Sequence, residues 1–330
     1  MTTRPTRLRL AALAALCVVS LAACSSSPST DEVPAEGLIP VTYLTSFIQN
    51  GVYSPFSYGI SKGYFAQEGI DLKVTYGTGS SGTVQQVSQG QAQIGDAFTG
   101  SIAQGNASGA DLRGFGFFRA NGGFAFFCDK SLNITSFSQL AGHSVIIPPG
   151  TVQAALYPGV LAAAGLAKDS ITVDNVAPAA AGAAYAGGQS DCITQTLGDA
   201  PTFVPRRAST TLLWSDGGFS VPGFAFMSTN SYLQANPTIL EGFLRATYRS
   251  IAESLDDPAA AVSAFTDANP EANPELSEAQ FSASKTVFCT TEMAEQNVKI
   301  GFQLPEMWAT IVDQMREYSD LPDTVDAASL

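Results

Sequence analysis

Residues 63–98 read GYFAQEGIDLKVTYGTGSSGTVQQVSQGQAQIGDAF, and this stretch decides the fold class. Ile70–Tyr76 is rich in β-branched and aromatic residues and reads as a strand. Gly77–Thr83 is a loop of small residues, Thr83–Ser88 a helix stopped at Gly90, and QAQIGDAF a second strand ending near Phe98. Two short strands joined through one helix predict a parallel pair and a right-handed crossover. The glycines allow close backbone approach, and Ser80, Ser81 and Thr83 are candidates both to cap the helix and to offer hydroxyls outward. The first N–H groups of that helix have no partner within it, so they form a site for a polar or anionic group. No Gly-Lys-Ser/Thr follows the loop, which excludes a nucleotide P-loop.

Upstream, Arg4, Arg7 and Arg9 precede an apolar run, Leu8–Ala23, too short for a comfortable membrane span. It ends in Leu21-Ala22-Ala23-Cys24, which resembles the lipobox of bacterial lipoproteins. The resemblance implies a signal peptide over residues 1–23, cleavage before Cys24 and lipidation of its sulfur. Residues 24–40 are Ser-, Pro- and acid-rich without apolar periodicity and read as a flexible tether. The expected location is extracytoplasmic, lipid-anchored to the outer face of the cytoplasmic membrane.

The remaining roughly 290 residues suit two domains of ordinary size. The chain has 16 Lys and Arg against 29 Asp and Glu, and removing the three signal arginines brings the balance to −16. So acidic and lysine-poor a surface excludes nucleic acid as a partner. Beyond Cys24 the mature chain has Cys128, Cys192 and Cys289, which allow at most one disulfide, with three possible pairings. Their spacing matches no zinc motif.

Along the rest of the chain, strands are expected at Val41–Phe47, Leu112–Phe118, Gly123–Cys128, Ser144–Ile147, Ile171–Val176, Asp191–Thr196, Thr211–Trp214 and Phe224–Met227. Helices are expected at Thr99–Ala107, Val152–Ala164 and Pro178–Ala186. The strand–turn–helix–strand unit therefore recurs about 70 residues later, with its turn at Pro148–Thr151. The last third is helical: Pro237–Leu255 with Asn236 as N-cap, Pro258–Thr266, Ser277–Phe288, Thr291–Ile300 and Pro305–Tyr318. The fold class is α/β with two lobes, each a mainly parallel sheet flanked by helices, and a ligand cleft between them. Lobe 1 is discontinuous, residues 41–126 and 225–330; lobe 2 is residues 127–224.

GYFAQEGIDLKV, the loop GTGSSGT and SQGQAQIGDA together resemble the nitrate/sulfonate/taurine and thiamine-pyrimidine-precursor group of type II periplasmic solute-binding proteins. FSQLAGHSVII at 137–147, Gly165-Leu166 and Asn236-Pro237 fit the same group. The resemblance spans roughly residues 40–320. It implies a substrate-binding lipoprotein whose lobes close on a small-molecule ligand and dock on ABC permease subunits; the expectation is a monomer with no cofactor and no metal. The alternative class is an extracytoplasmic ligand-sensing lipoprotein without a transporter. The eukaryotic pyrimidine-synthase branch of this fold consumes a histidine and carries a cysteine-rich motif; here no such motif occurs. The one histidine, His143, sits in a turn without a nucleophile elbow beside it. No catalytic residues are assigned, and the chain reads as a binding protein rather than an enzyme.

The candidate ligand-binding residues are Phe47, Asn50, Ser80, Ser81, Thr83, Phe98, Thr99, Gly150, Thr151 and Asp199. Phe47 and Phe98 end predicted strands, and two aromatic faces can sandwich a flat ring. Asp96 and Asp216 are further candidate acceptors, and Arg113, Arg119, Arg206 and Arg207 are the few bases near cleft loops. Many aromatics and hydroxyls with little base favour a heterocycle such as the thiamine pyrimidine precursor; a sulfonate, taurine or nitrate is the alternative.

Overall fold

The computed structural model describes residues 37–288 and 300–330. The expected signal peptide, Cys24, most of the tether, Cys289 and nearly all of the helix expected at Thr291–Ile300 lie outside them. The described chain begins with β1 (Ile39–Leu44), α1 (Ser54–Ser61), α2 (Tyr64–Gln67), β2 (Ile70–Thr75), α3 (Ser80–Ser88), β3 (Ile94–Phe98) and α4 (Thr99–Ala107). It continues with β4 (Leu112–Asn121), β5 (Phe124–Asp129), β6 (Ser144–Ile146), α5 (Val152–Ala163), β7 (Thr172–Asp174), α6 (Pro178–Ala186), β8 (Cys192–Thr196), β9 (Ser209–Leu213) and β10 (Pro222–Thr229). Helices follow: α7 (Asn230–Ala235), α8 (Pro237–Asp256), α9 (Pro258–Ala268), α10 (Pro274–Ala283) and α11 (Pro305–Tyr318). No helix of the described residues is long and apolar enough to cross a membrane.

The strands form two five-stranded sheets, ordered β2-β1-β3-β10-β4 and β7-β6-β8-β5-β9. This is the two-lobed α/β architecture expected. Each sheet is mixed: three strands run parallel, and the two on the far side pair antiparallel. The antiparallel half comes from strands on either side of the chain crossings, a long-range pairing that no local pattern announces. The chain passes from the first sheet to the second between Asn121 and Phe124, and returns between Leu213 and Pro222. Those crossings fall a few residues before the boundaries expected at 126/127 and 224/225.

The topology also changes the meaning of the opening stretch. β2 and β3 are parallel, but β1 lies between them rather than β2 pairing β3 directly. In the second sheet, β6 and β7, joined by α5, are direct neighbours. The two units that look like repeats in sequence therefore occupy different topological places; the counterpart of α3 is α6, which joins β7 to β8 across β6.

The core of the first lobe is aromatic. Phe243 of α8 meets Phe226 edge-to-face at 5.1 Å and Tyr43 at 5.7 Å, so the helical last third packs on the first sheet. Close approach requires small residues: a Cβ on Gly59 of α1 would lie 2.0 Å from Ser250 Oγ of α8. Asn236 precedes α8 without capping it, because its amide donates backward to Tyr232 O at 3.2 Å. α11 reaches the other lobe as well, with Tyr318 5.9 Å from Phe219. A continuous apolar cluster runs through the crossings, from Phe98 to Phe124 and Phe224 and on to Trp214.

Cys128 and Cys192 stand opposite each other on β5 and β8 and form a disulfide, which selects one of the three pairings. Both are fully buried. The bridge spans 64 residues of chain, so replacing both cysteines by alanine is expected to cost about 2–4 kcal/mol. Urea unfolding of the double variant beside the wild type checks this; an unchanged midpoint would contradict it.

Candidate functional site

The parallel strands of both sheets end at a common cavity of about 260 Å³ between the lobes. Its walls are the segments that follow β1, β2, β6, β7 and β8, the carboxyl-terminal side at which open α/β sheets bind ligands. From the first lobe come Ser46, Phe47, Asn50, Tyr53 and Thr78–Gly82; from the second, Pro148–Gln153, Pro178, Gln195, Thr196 and Asp199. Arg119, Phe124 and Phe224, on the crossing strands, close the back.

α3 begins at Ser80, three residues earlier than Thr83, because Gly79 takes a φ of +147° that sets the first turn. Gly77 serves a close approach of a different kind: a Cβ there would lie 2.3 Å from Thr45 O, so the loop is pressed against the end of β1. Ser80, Ser81 and Gly82 thereby bring the unsatisfied N–H end of α3 to the cavity. Thr151 brings that of α5: its Oγ1 donates to Pro148 O at 2.6 Å and accepts from Ala154 N at 3.3 Å as the N-cap. Two helix starts, one from each lobe, thus face one space.

Seven of the ten candidate residues line this cavity: Phe47, Asn50, Ser80, Ser81, Gly150, Thr151 and Asp199. Three do not. Thr83 is fully buried, and its Oγ1 donates to Thr45 O at 2.9 Å, tying α3 to β1. Phe98 is packed edge-on against Phe124 and Phe224 at about 6 Å, so it supports the wall from behind. Thr99 is buried with its hydroxyl on Pro222 O at 3.3 Å. Phe47 reaches the cavity because β1 stops at Leu44: Thr45 Oγ1 donates to Phe47 O at 2.6 Å and turns the chain out of the sheet.

Asp96, in the middle of β3, is buried below the cavity. It accepts from Tyr43 OH at 2.6 Å, Ser46 N at 2.9 Å and Ser46 Oγ at 2.6 Å, and Tyr53 OH lies 3.1 Å from that Oγ. Burial raises its pKa, and the Arg119 charge with these hydrogen bonds opposes the rise. Asp199 faces the cavity itself. Its Oδ2 accepts from Thr196 Oγ1 at 2.6 Å, while Asn50 Nδ2 stands 3.5 Å from Oδ1, reaching across from the other lobe. Burial raises its pKa too, opposed by Thr196 and Arg119.

The other candidates are elsewhere. Arg113 Nη2 donates to Ala328 O, Arg206 Nη2 to Thr202 O, and Arg207 pairs with Asp129 at 2.8 Å. Asp216 sits in a turn of 3₁₀ helix and does not line the cavity. His143 Nδ1 lies 2.9 Å from Asp191 Oδ2, at the opposite end of β6 from the cavity. Sequence reasoning did not assign Gln153 or Gln195 to the site, and placed Arg119 only among the bases near cleft loops. Gln153 lies two residues after Thr151, in the first turn of α5, and was legible as part of that helix start; the places of Arg119 and Gln195 depend on which strands cross behind the cavity.

A carboxyl whose pKa rises on folding is ionised more readily in the unfolded chain. Stability therefore falls as pH rises from the ordinary 3.8 through the raised folded value of Asp199. Asp199→Asn, which retains an acceptor for Thr196, is expected to melt higher than wild type at neutral pH. That advantage should shrink below the ordinary carboxylate range; thermal melts from pH 3 to 8 check it, and a gap that widens in acid would contradict it.

Riboflavin-binding protein RibY of Chloroflexus aurantiacus is 22% identical over 340 aligned positions, spanning 97% of this chain and 95% of that protein. The alkanesulfonate-binding protein SsuA from Xanthomonas axonopodis pv. citri, bound to MOPS, superposes with a TM-score of 0.65 at 18% identity, covering 88% of this chain and 96% of that one. The periplasmic aliphatic sulphonate binding protein SsuA from Escherichia coli gives 0.68 at 15% identity, with 88% and 91% coverage. The nitrate-binding protein NrtA from Synechocystis PCC 6803 gives 0.60 at 13%, with 88% and 84% coverage. These structures share the fold. The sequence profile of the NMT1/THI5 like family matches residues 50–261, and the chain belongs to that family.

Proposed function

We propose that this chain is the solute-binding lipoprotein of an ABC importer, capturing a flat heterocycle of the size and polarity of the thiamine pyrimidine precursor. The observation that carries the reading is a cavity between the lobes to which both contribute a helix start, with aromatic walls at Phe47, Tyr53, Phe124 and Phe224. Apolar walls with a few placed polar groups suit a ring whose edge carries donors and acceptors. Closure of the two lobes about the crossing segments removes the solute from water, and the closed form docks on membrane permease subunits. The protein acts as a monomer held to the membrane through lipidated Cys24. The names of the relatives, which concern riboflavin, sulfonates and nitrate, support a small solute without selecting it.

A second reading, an aliphatic sulfonate, taurine or nitrate, is favoured by the two helix starts aimed at one space. Against it stands a cavity wall with one arginine and a carboxylate, where a tetrahedral anion calls for an arginine fork.

Thermal-shift screening with the thiamine pyrimidine precursor, riboflavin, alkylsulfonates, taurine and nitrate decides between them. A true ligand at a hundred times its dissociation constant adds about 2.7 kcal/mol of stability. A shift with sulfonates or nitrate alone would remove the heterocycle, and no shift with any would remove the binding role. Phe47→Ala is expected to weaken the heterocycle about tenfold through loss of a stacking face; calorimetric titration measures this. Cys24→Ala is expected to release the chain from the membrane fraction, which fractionation and immunoblotting would record.

A further inference from the structure

Arg119 stands out among the cavity's side chains. It is 6% exposed, on β4, with its Cζ 3.7 Å from the centroid of the Phe224 ring and 5.3 Å from that of Phe118. Its Nε is buried without an acceptor. Among the described residues it has no carboxylate within ion-pair distance, and none of its guanidinium nitrogens makes a protein hydrogen bond. The cation–π contact covers a face of the guanidinium but leaves the in-plane donors unmet. Buried donors without acceptors are costly, so the arrangement is complete only when something else supplies an acceptor from the cavity side.

The charge around it decides what that acceptor is. Asp96 below and Asp199 beside the cavity are both close enough for the Arg119 charge to oppose the rise that burial gives their pKa values. The α3 and α5 starts each add about half a positive charge. When both carboxylates are ionised they balance one guanidinium and two half-charges, so the unliganded cavity then holds no surplus positive charge for an anion. A full anion would add uncompensated negative charge, whereas a ring nitrogen or carbonyl satisfies the donors without it.

We infer that Arg119 is the specificity-determining residue of the cavity and that its missing partner is a neutral acceptor on a planar ring, stacked within the aromatic walls. This rests on the cavity being the solute site.

The test uses the full chain and two variants, Arg119→Met and Arg119→Lys, titrated with the thiamine pyrimidine precursor and riboflavin as neutral rings, and with methanesulfonate and nitrate as anions. Wild type is expected to bind a neutral ring and not the anions. Arg119→Met should lose about tenfold to a hundredfold in that affinity, with its unliganded melting temperature unchanged or raised because the unmet donors are gone. Arg119→Lys, which keeps charge but not the planar fork, should fall between. Equal ring affinity in wild type and Arg119→Met, or wild type preferring the anions, overturns the inference while leaving a binding protein. So does a drop in the unliganded melting temperature of both variants, which would make Arg119 structural. If no probe binds wild type, the solute-site reading itself fails and this inference with it.

Discussion

A carboxylate buried away from water must find hydrogen-bond donors inside the protein, and Asp96 finds three. Two come from Ser46, in the turn after β1, and one from Tyr43, within β1. The same residue therefore ties β3 to the end of β1 and to the departure of the chain toward Phe47 and Asn50. Thr83 adds a further tie, donating from α3 to the carbonyl of Thr45. Together these bonds determine where the first lobe's loops meet the cavity. They act with the Thr45 Oγ1 bond to Phe47 O and the bond from Gly77 N to Thr45 Oγ1, which hold the neighbouring loops in the same place.

The second lobe solves the same problem with less buried charge. Thr151 caps α5 and holds its own turn through Pro148 O, so the cavity-facing end is organised locally. Asp199 is set by Thr196, three residues before it. Long-range rigidity comes instead from the Cys128–Cys192 bridge between β5 and β8, and from the aromatic packing of Phe127 and Tyr185 on Phe203. The packing at the crossings that join the lobes is apolar: Phe98, Phe124, Phe224 and Trp214 meet there, with Arg119 laid on the Phe224 ring. The cavity thus has a hydrophobic back and polar rims, a distribution that orients a ring with heteroatoms at its edge.

Much of this was legible along the chain. Helices α4, α6 and α11 begin and end where the small-residue, proline and apolar spacing place them, and the α3 and α5 starts are the two turns that sequence singled out. Local chemistry suffices for such features, because a cap, a glycine with positive φ or an amphipathic stripe acts within a few residues. The errors share a cause. Thr83, Phe98 and Thr99 carry groups able to face a ligand, yet each is claimed by a partner far off in sequence or by the core. Asn236 looked like a cap and spends its amide on the preceding turn instead.

Sequence by itself determined the fold class, the two helix starts, the surplus of negative charge and most of the cavity's loops, since these follow from residue types at short spacing. Tertiary structure alone decided the strand order with β1 between β2 and β3, the choice of Cys192 as partner for Cys128, and the presence of Arg119 behind the cavity. Each of those depends on which segments, tens of residues apart, share a sheet, and an alternating pattern of apolar residues fixes the face of a strand but not its neighbour.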